Sequence, residues 1–373
     1  MAEVNDNSNH LLATTDHQWP GWDRITTIFS FGDSYTTTGF AAALGPQPDA
    51  THPLGAPPHC LQTSSNGPNW ICFLTTDYHD NDDDKEADAD APGPVPVRTY
   101  NLACGGATVA SRLIHRVHPE VLSLEQQVQD VFIPLYAALC ADQNPPVRTA
   151  ETAETAETAE TGAGAPTCVD RWRPASTLFA FFLGINDVGL SYEAAEDAED
   201  PLVFDVYDGY LATYADQVMQ VYHAGARNFL FLTVPPVDRS PLTTRQGPDA
   251  AAKERVHIQK WNDGVACLAA NLRQRPGTAV FVFDTHAPFS RVLDDPAAFP
   301  ETAVYRDTAG FCAAYAGGTE QPDTRHPDCP LAANQYLWLN DLHPTYPVHQ
   351  LWARLIAEQL RAGPQSRVKS ATI

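Results

Sequence analysis

The chain has little positive charge and no long apolar run. Its 373 residues carry 23 Lys and Arg against 46 Asp and Glu, which gives a formal net charge of −23 at pH 7. Such an acidic surface repels phosphate backbones and argues against nucleic acid as a partner. No apolar stretch approaches the ~20 residues of a membrane span, so we expect none. A hydrophobic fraction of 43% nevertheless allows a large core.

Two further absences concern the cellular compartment. The chain contains no Asn-x-Ser/Thr sequon, and its first 19 residues have no apolar core of the kind that a secretory signal needs. Both features favour an intracellular protein if this N-terminus is the native one. A secreted protein would have lost its signal peptide.

Eight cysteines point towards an oxidising compartment. We expect a disulfide between Cys312 and Cys329, because both lie in a loop region rich in Gly and Pro. The further candidate pairs are Cys60 with Cys72 and Cys140 with Cys168. Cys104 and Cys267 fall in a predicted strand and a predicted helix, where we expect buried thiols.

Apolar, β-rich runs alternate with helical patterns along the chain. The runs are predicted as strands at 25–31, 99–104, 178–183, 229–234 and 280–284, and helices are predicted at 206–224, 251–273 and 346–361. Continuous apolar strands suit a parallel sheet that is covered on both faces. Their alternation with helices predicts a doubly wound α/β fold, in which ligands bind at the carboxyl ends of the strands.

One domain is predicted over residues 25–365, after an N-terminal extension at 1–24 and before a tail at 366–373. Two low-complexity segments interrupt it, an acidic run at 79–92 and an Ala-Glu-Thr repeat within 150–165. Both have too few apolar residues to offset the entropy of ordering, so we expect surface insertions. The repeat could instead form a short exposed helix.

Four short motifs carry residues of chemical interest. Their central residues are Ser34 in Gly-Asp-Ser, Gly106 in Gly-Gly, Asn186 in Gly-Ile-Asn-Asp and His343 in Asp-Leu-His-Pro. Each has an ordinary explanation by itself, as a helix cap, a turn glycine or a surface residue. Together they provide a nucleophile, oxyanion donors and a base, which suffice to cleave an ester through an acyl-enzyme.

In this order the motifs resemble those of the GDSL/SGNH hydrolase superfamily, and especially its fungal carbohydrate-esterase branch, which includes acetylesterases. The matching blocks are FSFGDSYT at 29–36, NLACGGAT at 101–108, FFLGINDVG at 181–189 and NDLHPTYPVH at 340–349. The resemblance extends from about residue 25 to 361. It implies a three-layer α/β/α sandwich of flavodoxin-like topology, with no metal and no organic cofactor.

The resemblance also implies a role for each motif residue. Ser34 would be the nucleophile, and His343 the general base and then the general acid. The oxyanion hole would be formed by the backbone N–H of Ser34, the backbone N–H of Gly106 and the side chain of Asn186.

Two more residues are candidate substrate contacts. Asp33 adjoins the nucleophile, although it could instead set the turn there or cap a helix. Trp70 matches a family region near the substrate cleft, although it could equally be a core residue.

One position departs from the family pattern. The family usually has Asp three residues before its catalytic His, whereas this chain has Asn340 there and Asp341 one residue later. Asn340 could accept a hydrogen bond from His343 Nδ1 without charge, or Asp341 could do so in a shifted loop. A backbone carbonyl could also serve and leave a Ser–His dyad. If the charge is missing, we expect a weaker base.

Three classes of function are consistent with these residues. The first is a hydrolase of short acyl esters, such as acetyl esters of carbohydrates or of small molecules. The second is an acyltransferase or thioesterase of the same fold, which would act on a small-molecule or carrier-bound acyl group. The third is a non-catalytic binding protein, which would need a broken motif set, although all four motif residues are present.

Overall fold

The computed structural model describes residues 19–364 except 44, 56–59, 61, 80–95, 114–119, 138–171 and 195–200. Its strands are β1 (Thr27–Gly32), β2 (Arg98–Asn101), β3 (Thr177–Phe182), β4 (Asn228–Leu232) and β5 (Ala279–Phe283). They pair in parallel in the order β2-β1-β3-β4-β5. The five predicted strands are confirmed. The predicted run at 99–104 leaves the sheet after Asn101, although Leu102 N and Cys104 N still donate to β1 carbonyls.

The helices surround this sheet. They are α1 (Trp70–Thr76), α2 (Leu124–Gln126), α3 (Ile133–Tyr136), α4 (Ile185–Ala194), α5 (Pro201–His223), α6 (Pro241–Thr244), α7 (Pro248–Leu272), α8 (His286–Asp294) and α9 (Tyr346–Ala362), with a π-helical segment (Gln127–Phe132) between α2 and α3. The three predicted helices correspond to α5, α7 and α9. The first two begin earlier than predicted, each at a proline, which suits the first turn of a helix.

Helices cover both faces of the sheet. α1, α8 and α9 pack together on one side, whereas α2, α4, α5 and α7 pack together on the other. Right-handed crossovers between parallel strands in this order produce the same division. The predicted three-layer α/β/α sandwich is therefore confirmed.

Aromatic side chains fix the strand register in the core. Phe31, Phe181 and Phe231 are register partners on β1, β3 and β4, and their rings stack at centroid distances of 4.7 and 5.5 Å. Burying one Phe contributes roughly 1.5–3 kcal/mol. Because a slip by one residue would move these rings to the other face of the sheet and break their stacking, the packing also fixes where each strand ends, and hence where the loops beyond it begin.

Residues next to two of the predicted boundaries pack against the core. The N-terminal extension was expected to reach residue 24, but Trp22 is buried in the core and Trp19 Nε1 donates to Leu360 O in α9. The acidic insertion was expected to begin at 79, but His79 is buried with its ring against Trp22. Large aromatic surface offsets the cost of ordering these residues. The rest of that insertion, the Ala-Glu-Thr repeat and the tail lie outside the described residues.

Two disulfides occur among the described residues. Cys312–Cys329 is confirmed, and Cys60 pairs with Cys72. Cys140 and Cys168 lie outside the described residues. The prediction of a buried thiol was wrong for Cys267, which lies on the solvent face of α7.

Cys104 is half-buried, in the turn after β2 rather than within the strand. Its sulfur is near enough to Leu122 N (3.4 Å) to accept a weak hydrogen bond. Separately, none of the helices in the described part of the chain is long and apolar enough to cross a membrane.

Candidate active site

Ser34 lies in a tight turn directly after β1. The turn is closed by a hydrogen bond from Thr36 N to Asp33 O (3.1 Å), and Asp33 Oδ1 accepts another from Tyr35 N (2.9 Å). The next helix begins only at Trp70, so Ser34 does not cap a helix. Ser34 is half-buried, whereas Asp33, Tyr35 and Thr36 of the same turn are buried in the core.

Gly32 makes this turn possible. A Cβ atom at this position would lie 2.9 Å from Thr36 Cβ, which is closer than real Cβ atoms approach, and 3.0 Å from Phe182 O, which is a tight contact. Only glycine lets the chain double back this tightly against β3. In the Gly-Asp-Ser motif, Gly32 and Asp33 thus shape the turn, and the side chain of Ser34 remains accessible.

Side chains from two other elements hold the turn from behind. Asn69, the N-cap of α1, donates from Nδ2 to Thr36 O (2.9 Å), and Asn101 Nδ2 at the end of β2 donates to the same oxygen (2.6 Å). Trp70 is fully buried, and its Nε1 donates to Thr36 Oγ1 (3.1 Å). Trp70, predicted as a substrate contact or a core residue, thus packs in the core behind the Ser34 turn, and a role towards substrate stays a prediction.

Gly106 occupies the turn after β2. Ala107 N donates to Cys104 O (3.1 Å), and Gly106 has φ +79°, as residue three of a type II turn requires. A Cβ built on Gly105 would lie 3.9 Å from Ser34 Cβ, so this turn lies against the nucleophile. The turn therefore brings backbone N–H groups to the side of Ser34.

Asn186 lies in the first turn of α4, directly beyond β3. Its Nδ2 donates to Ala107 O (2.9 Å), across to the Gly106 turn. This contact fixes the amide orientation and excludes a helix-capping role for the side chain. A primary amide carries two hydrogens, and the second is not used in this bond. Ser34, Gly106 and Asn186 therefore meet at the carboxyl ends of β1, β2 and β3, which we call the sheet edge.

His343 reaches the sheet edge from a hairpin-like segment, residues 337–345, which we call the base hairpin. Leu339 N donates to His343 O (2.8 Å) and Thr345 N to Leu337 O (2.7 Å). His343 Nε2 lies 2.8 Å from Ser34 Oγ. The structure thus brings together two predicted residues that are 309 positions apart in sequence.

Asn340 determines the tautomer of His343. Its Oδ1 accepts hydrogen bonds from the backbone N–H groups of Leu342 (3.1 Å) and His343 (2.9 Å) and lies 3.0 Å from His343 Nδ1. Because backbone N–H groups can only donate, this atom is the amide oxygen, and Nδ1 must carry the ring hydrogen. Nε2 is then unprotonated and can accept the Ser34 hydroxyl hydrogen.

Asp341, the other candidate partner of His343, faces elsewhere. Its Oδ2 accepts from Arg245 Nη2 at 2.8 Å, and its backbone oxygen accepts from Leu242 N at 2.8 Å. The Asp341 side chain is 41% exposed, so its charge is largely screened by solvent. In this structure the Nδ1 partner is the neutral Asn340.

Burial keeps the imidazole neutral. It lowers the pKa of His343 to about 4, with a smaller opposing effect from Asp341. Burial likewise lowers the pKa of His349, on α9, to about 3, and His343 adds to that effect. Above about pH 5, both rings are therefore uncharged, and His343 is available as a base.

Two buried carboxyl groups lie next to the reactive residues. Burial raises the pKa of Asp33 and that of Asp187 to about 7, and the charge of Asp187 adds to the shift of Asp33. Asp187 Oδ1 accepts from Val109 N (2.9 Å), while neither Oδ2 atom has a hydrogen-bond partner among the described residues. Asp33 is buried and its carboxylate helps to set the turn, which is the alternative to a substrate contact, and a role towards substrate stays a prediction.

Sequence reasoning gave no role to three residues that hold this site together, namely Asn69, Asn101 and Asp187. Each is a short polar residue at the edge of a buried strand or helix, where its side chain can bond backbone groups of a neighbouring turn. This position, next to a buried strand or helix, is the feature of the sequence from which such a role could have been predicted. In the described part of the chain no group of three or more His, Cys, Asp or Glu residues is placed to hold a metal ion. The expectation of no cofactor stays a prediction.

The comparison with protein families agrees with this geometry. A family model for the GDSL-like lipase/acylhydrolase family matches residues 28–356. The chain therefore belongs to this family of ester-hydrolysing enzymes, and the resemblance inferred from the four motifs is confirmed.

Individual relatives are more distant. The chain is 27% identical over 335 residues to an acetylesterase from Thermothelomyces thermophilus, a match that covers 89% of this chain and 87% of that protein. A 125-residue match, 25% identical, covers 34% of this chain and 27% of the thermolabile hemolysin of Vibrio parahaemolyticus. Among solved structures, an acetylxylan esterase mutant from Geobacillus stearothermophilus covers 90% of this chain and 94% of its own, with 14% identity and a TM-score of 0.44.

Proposed function

We propose that this protein is a serine hydrolase that cleaves short-chain acyl esters, of the acetyl type, through an acyl-serine intermediate. The observation that carries the proposal is the contact of 2.8 Å between Ser34 Oγ and the unprotonated Nε2 of His343. A nucleophile within hydrogen-bond reach of a base, which is itself oriented by a third group, is the arrangement that covalent acyl transfer requires.

The reaction proceeds in two halves. His343 Nε2 takes the proton of the Ser34 hydroxyl as Oγ attacks the ester carbonyl, and the carbonyl π electrons move onto oxygen. The tetrahedral intermediate collapses, the C–O bond to the alcohol breaks, and His343 returns the proton to the leaving oxygen. Water then attacks the acyl-serine in the same way, which releases the acid and restores Ser34.

The oxyanion is stabilised by donors at the sheet edge. These are the backbone N–H of Ser34, the backbone N–H of Gly106 and the second Nδ2 hydrogen of Asn186. All three positions are held before substrate arrives, Ser34 and Gly106 by tight turns and Asn186 by its bond to Ala107 O. Donors that need no reorganisation stabilise developing charge most effectively.

Asn340, which orients His343, carries no charge. Asn340 orients the imidazole and fixes its tautomer, but an amide stabilises the imidazolium less than a carboxylate would. The base is correspondingly weak, and esters with poor leaving groups gain least from it. Activated or easily cleaved esters are therefore the substrates that this site suits best.

Similarity to the fungal acetylesterase supports the acetyl-type substrate, since that match extends over most of both chains. The alcohol part of the substrate is a small molecule or a carbohydrate. Transfer of the acyl group to an alcohol instead of water would use the same intermediate, and only the acceptor distinguishes the two reactions.

The test compares the wild type with Ser34→Ala on the p-nitrophenyl esters of acetate, butyrate and octanoate. Each assay is run with and without glycerol or a sugar as acceptor, and the acid and ester products are separated. We expect fast release from acetate, slower release from octanoate, mainly free acid, and loss of at least about a thousandfold in the variant.

Three results would contradict this proposal. Equal rates in the wild type and Ser34→Ala would exclude the acyl-serine. A preference for octanoate would exclude the short-chain class. More ester than acid in the presence of an alcohol would make the protein an acyltransferase.

A further inference from the structure

The residue that follows the nucleophile is bonded to the segment that carries the base. Tyr35 is fully buried, and its hydroxyl donates to Leu342 O at 2.7 Å. Its backbone N–H donates to Asp33 Oδ1 at 2.9 Å, so the residue is anchored within the nucleophile turn. One side chain thus links the sheet edge to the base hairpin.

The bonded oxygen belongs to the peptide unit that immediately precedes the base. That peptide joins Leu342 to His343, and its N–H donates to Asn340 Oδ1 at 2.9 Å. The same peptide is therefore held at its oxygen by Tyr35 and at its nitrogen by Asn340. With both ends held, the backbone of His343 has little freedom to rotate.

The Tyr35 ring also supports the imidazole. Its centroid lies 5.4 Å from that of His343, with a tilt of 40° between the planes. On its other sides the ring contacts His349 at 5.9 Å and Trp352 at 6.3 Å, both on α9. The His343 ring thus rests against a rigid aromatic wall, and the buried hydroxyl remains protonated because burial raises the pKa of Tyr35 well above its usual value.

We propose that Tyr35 is a positioning residue, which sets the distance between Ser34 Oγ and His343 Nε2 through its bond to Leu342 O and its ring contact with His343. The inference rests on the proposed roles of Ser34 and His343. Proton transfer between them depends steeply on this distance, and a displacement of about 1 Å can cost on the order of a hundredfold in rate.

The test is Tyr35→Phe, which keeps the ring and removes only the hydroxyl. We expect kcat for p-nitrophenyl acetate to fall about tenfold with little change in KM, since no substrate contact is removed. We also expect the acid limb of the kcat/KM profile to move up from about pH 4, because a loosened imidazole is better hydrated and its pKa returns towards 6.5. Two other titratable groups, Asp341 and His349, interact electrostatically with His343, and both are unchanged in Tyr35→Phe.

Tyr305→Phe is the matched control. Tyr305 is buried too, and its hydroxyl bonds Thr345 and Val348 just beyond the base. Its loss should lower the melting temperature while kcat and the acid limb stay at wild-type values. Rates are expressed per active site titrated with a fluorophosphonate, so misfolded chains do not count.

The outcomes separate the two proposals. If Ser34→Ala is inactive but Tyr35→Phe matches Tyr305→Phe in kcat and in pH profile, Tyr35 has only a structural role and this inference fails. If Ser34→Ala keeps wild-type activity, the proposed function itself fails. A lower kcat with an unmoved acid limb would also overturn the positioning role, because the base would still be held in place.

Discussion

The sheet edge and the base hairpin meet at one point but are held by different forces. Ser34, Gly106 and Asn186 follow β1, β2 and β3, three strands of one sheet that are paired through backbone hydrogen bonds and packed through aromatic rings. His343 lies in a segment outside that sheet. A few backbone hydrogen bonds close that segment, and side-chain contacts from Asn340 and Tyr35 hold the peptide before His343.

The sheet edge and the base hairpin also differ in the surroundings of their carboxyl groups. Next to the sheet edge, Asp33 and Asp187 are enclosed, and burial raises the pKa of each to about 7. In the base hairpin, Asp341 is partly exposed and paired with Arg245. We therefore expect substitutions at the sheet edge to change transition-state stabilisation, and substitutions in the base hairpin to change the geometry of Ser34 and His343.

Asn186→Ala removes the side-chain donor that we propose for the oxyanion. We expect kcat for p-nitrophenyl acetate to fall about 100- to 1000-fold, the usual cost of one oxyanion donor, with KM and melting temperature nearly unchanged. Steady-state kinetics measure the effect. A rise in KM with unchanged kcat would mean that Asn186 binds the substrate equally well in the ground state.

The pair Cys312→Ser and Cys329→Ser removes a covalent support of the base hairpin. Cys329 packs in a small cluster with Tyr315, Tyr336 and Leu339, and Leu339 belongs to the base hairpin. Opening a loop of this length, with a sequence separation of 17, should lower the free energy of unfolding by about 3 kcal/mol. Urea denaturation measures it.

Cys267→Ser is the control for the disulfide variant, since this exposed thiol should cost less than about 0.5 kcal/mol. Mass spectrometry under non-reducing conditions checks the bond itself. Free thiols at 312 and 329 in the native protein would contradict the prediction.

Asn340→Ala frees the imidazole at the tip of the base hairpin. The Nδ1 hydrogen and two backbone N–H groups lose their acceptor, and we expect kcat to fall about 10- to 100-fold. Asn340→Asp keeps the acceptor and adds a charge. In that variant the pKa of His343 should rise, so the acid limb of kcat/KM should move to higher pH while activity near pH 8 is kept or increased. An inactive Asn340→Asp enzyme would show that the amide nitrogen is needed as well.

Asp187→Asn tests the enclosed carboxyl groups through the pH dependence of stability. The pKa of Asp187 is raised from 3.8 to about 7 in the folded state, so its stabilisation is full below pH 3.8 and is lost as the pH rises through about 7. The variant should lose less stability between pH 4 and 8, by on the order of 4 kcal/mol for a shift of this size. Urea denaturation across this range measures the slope. Equal slopes in both proteins would mean that Asp187 is already ionised at pH 5.

The contribution of His343 and His349 to stability depends on pH in the opposite direction. Because the pKa values of His343 and His349 are lowered, the stability they contribute is present above pH 6.5 and is lost as the pH falls towards 4. Both residues are common to the wild type and Asp187→Asn. The difference between the two proteins therefore reports on Asp187, together with its effect on the pKa of Asp33.

Asp341→Asn should have the smallest effect. Its carboxylate is partly exposed and bonded to Arg245, and its charge only weakly opposes the shift in the pKa of His343. We expect kcat to change less than about threefold, with the acid limb moving slightly to lower pH. A loss as large as that of Asn340→Ala would make Asp341 the partner of His343 during turnover.

The sheet and the residues at its edge could be predicted from the amino-acid sequence. Strands such as β1 and β3 are continuous apolar runs, because both faces of a parallel sheet are covered, and period and composition suffice to find them. Gly-Asp-Ser and Gly-Ile-Asn-Asp directly follow such runs, so their place at the carboxyl ends was predictable. Family resemblance, rather than spacing, supplied the expected roles of Ser34 and Asn186.

Only the tertiary structure decided which residue holds His343. Asn340 and Asp341 are adjacent, and either could have faced the imidazole until the contacts of Arg245 and of two backbone N–H groups were known. Tertiary packing likewise placed Trp70 behind the nucleophile turn and joined Tyr35 to Leu342 across 307 residues. Such contacts depend on a few side chains that meet at the end of folding, and no local pattern in a sequence encodes a partner that far away.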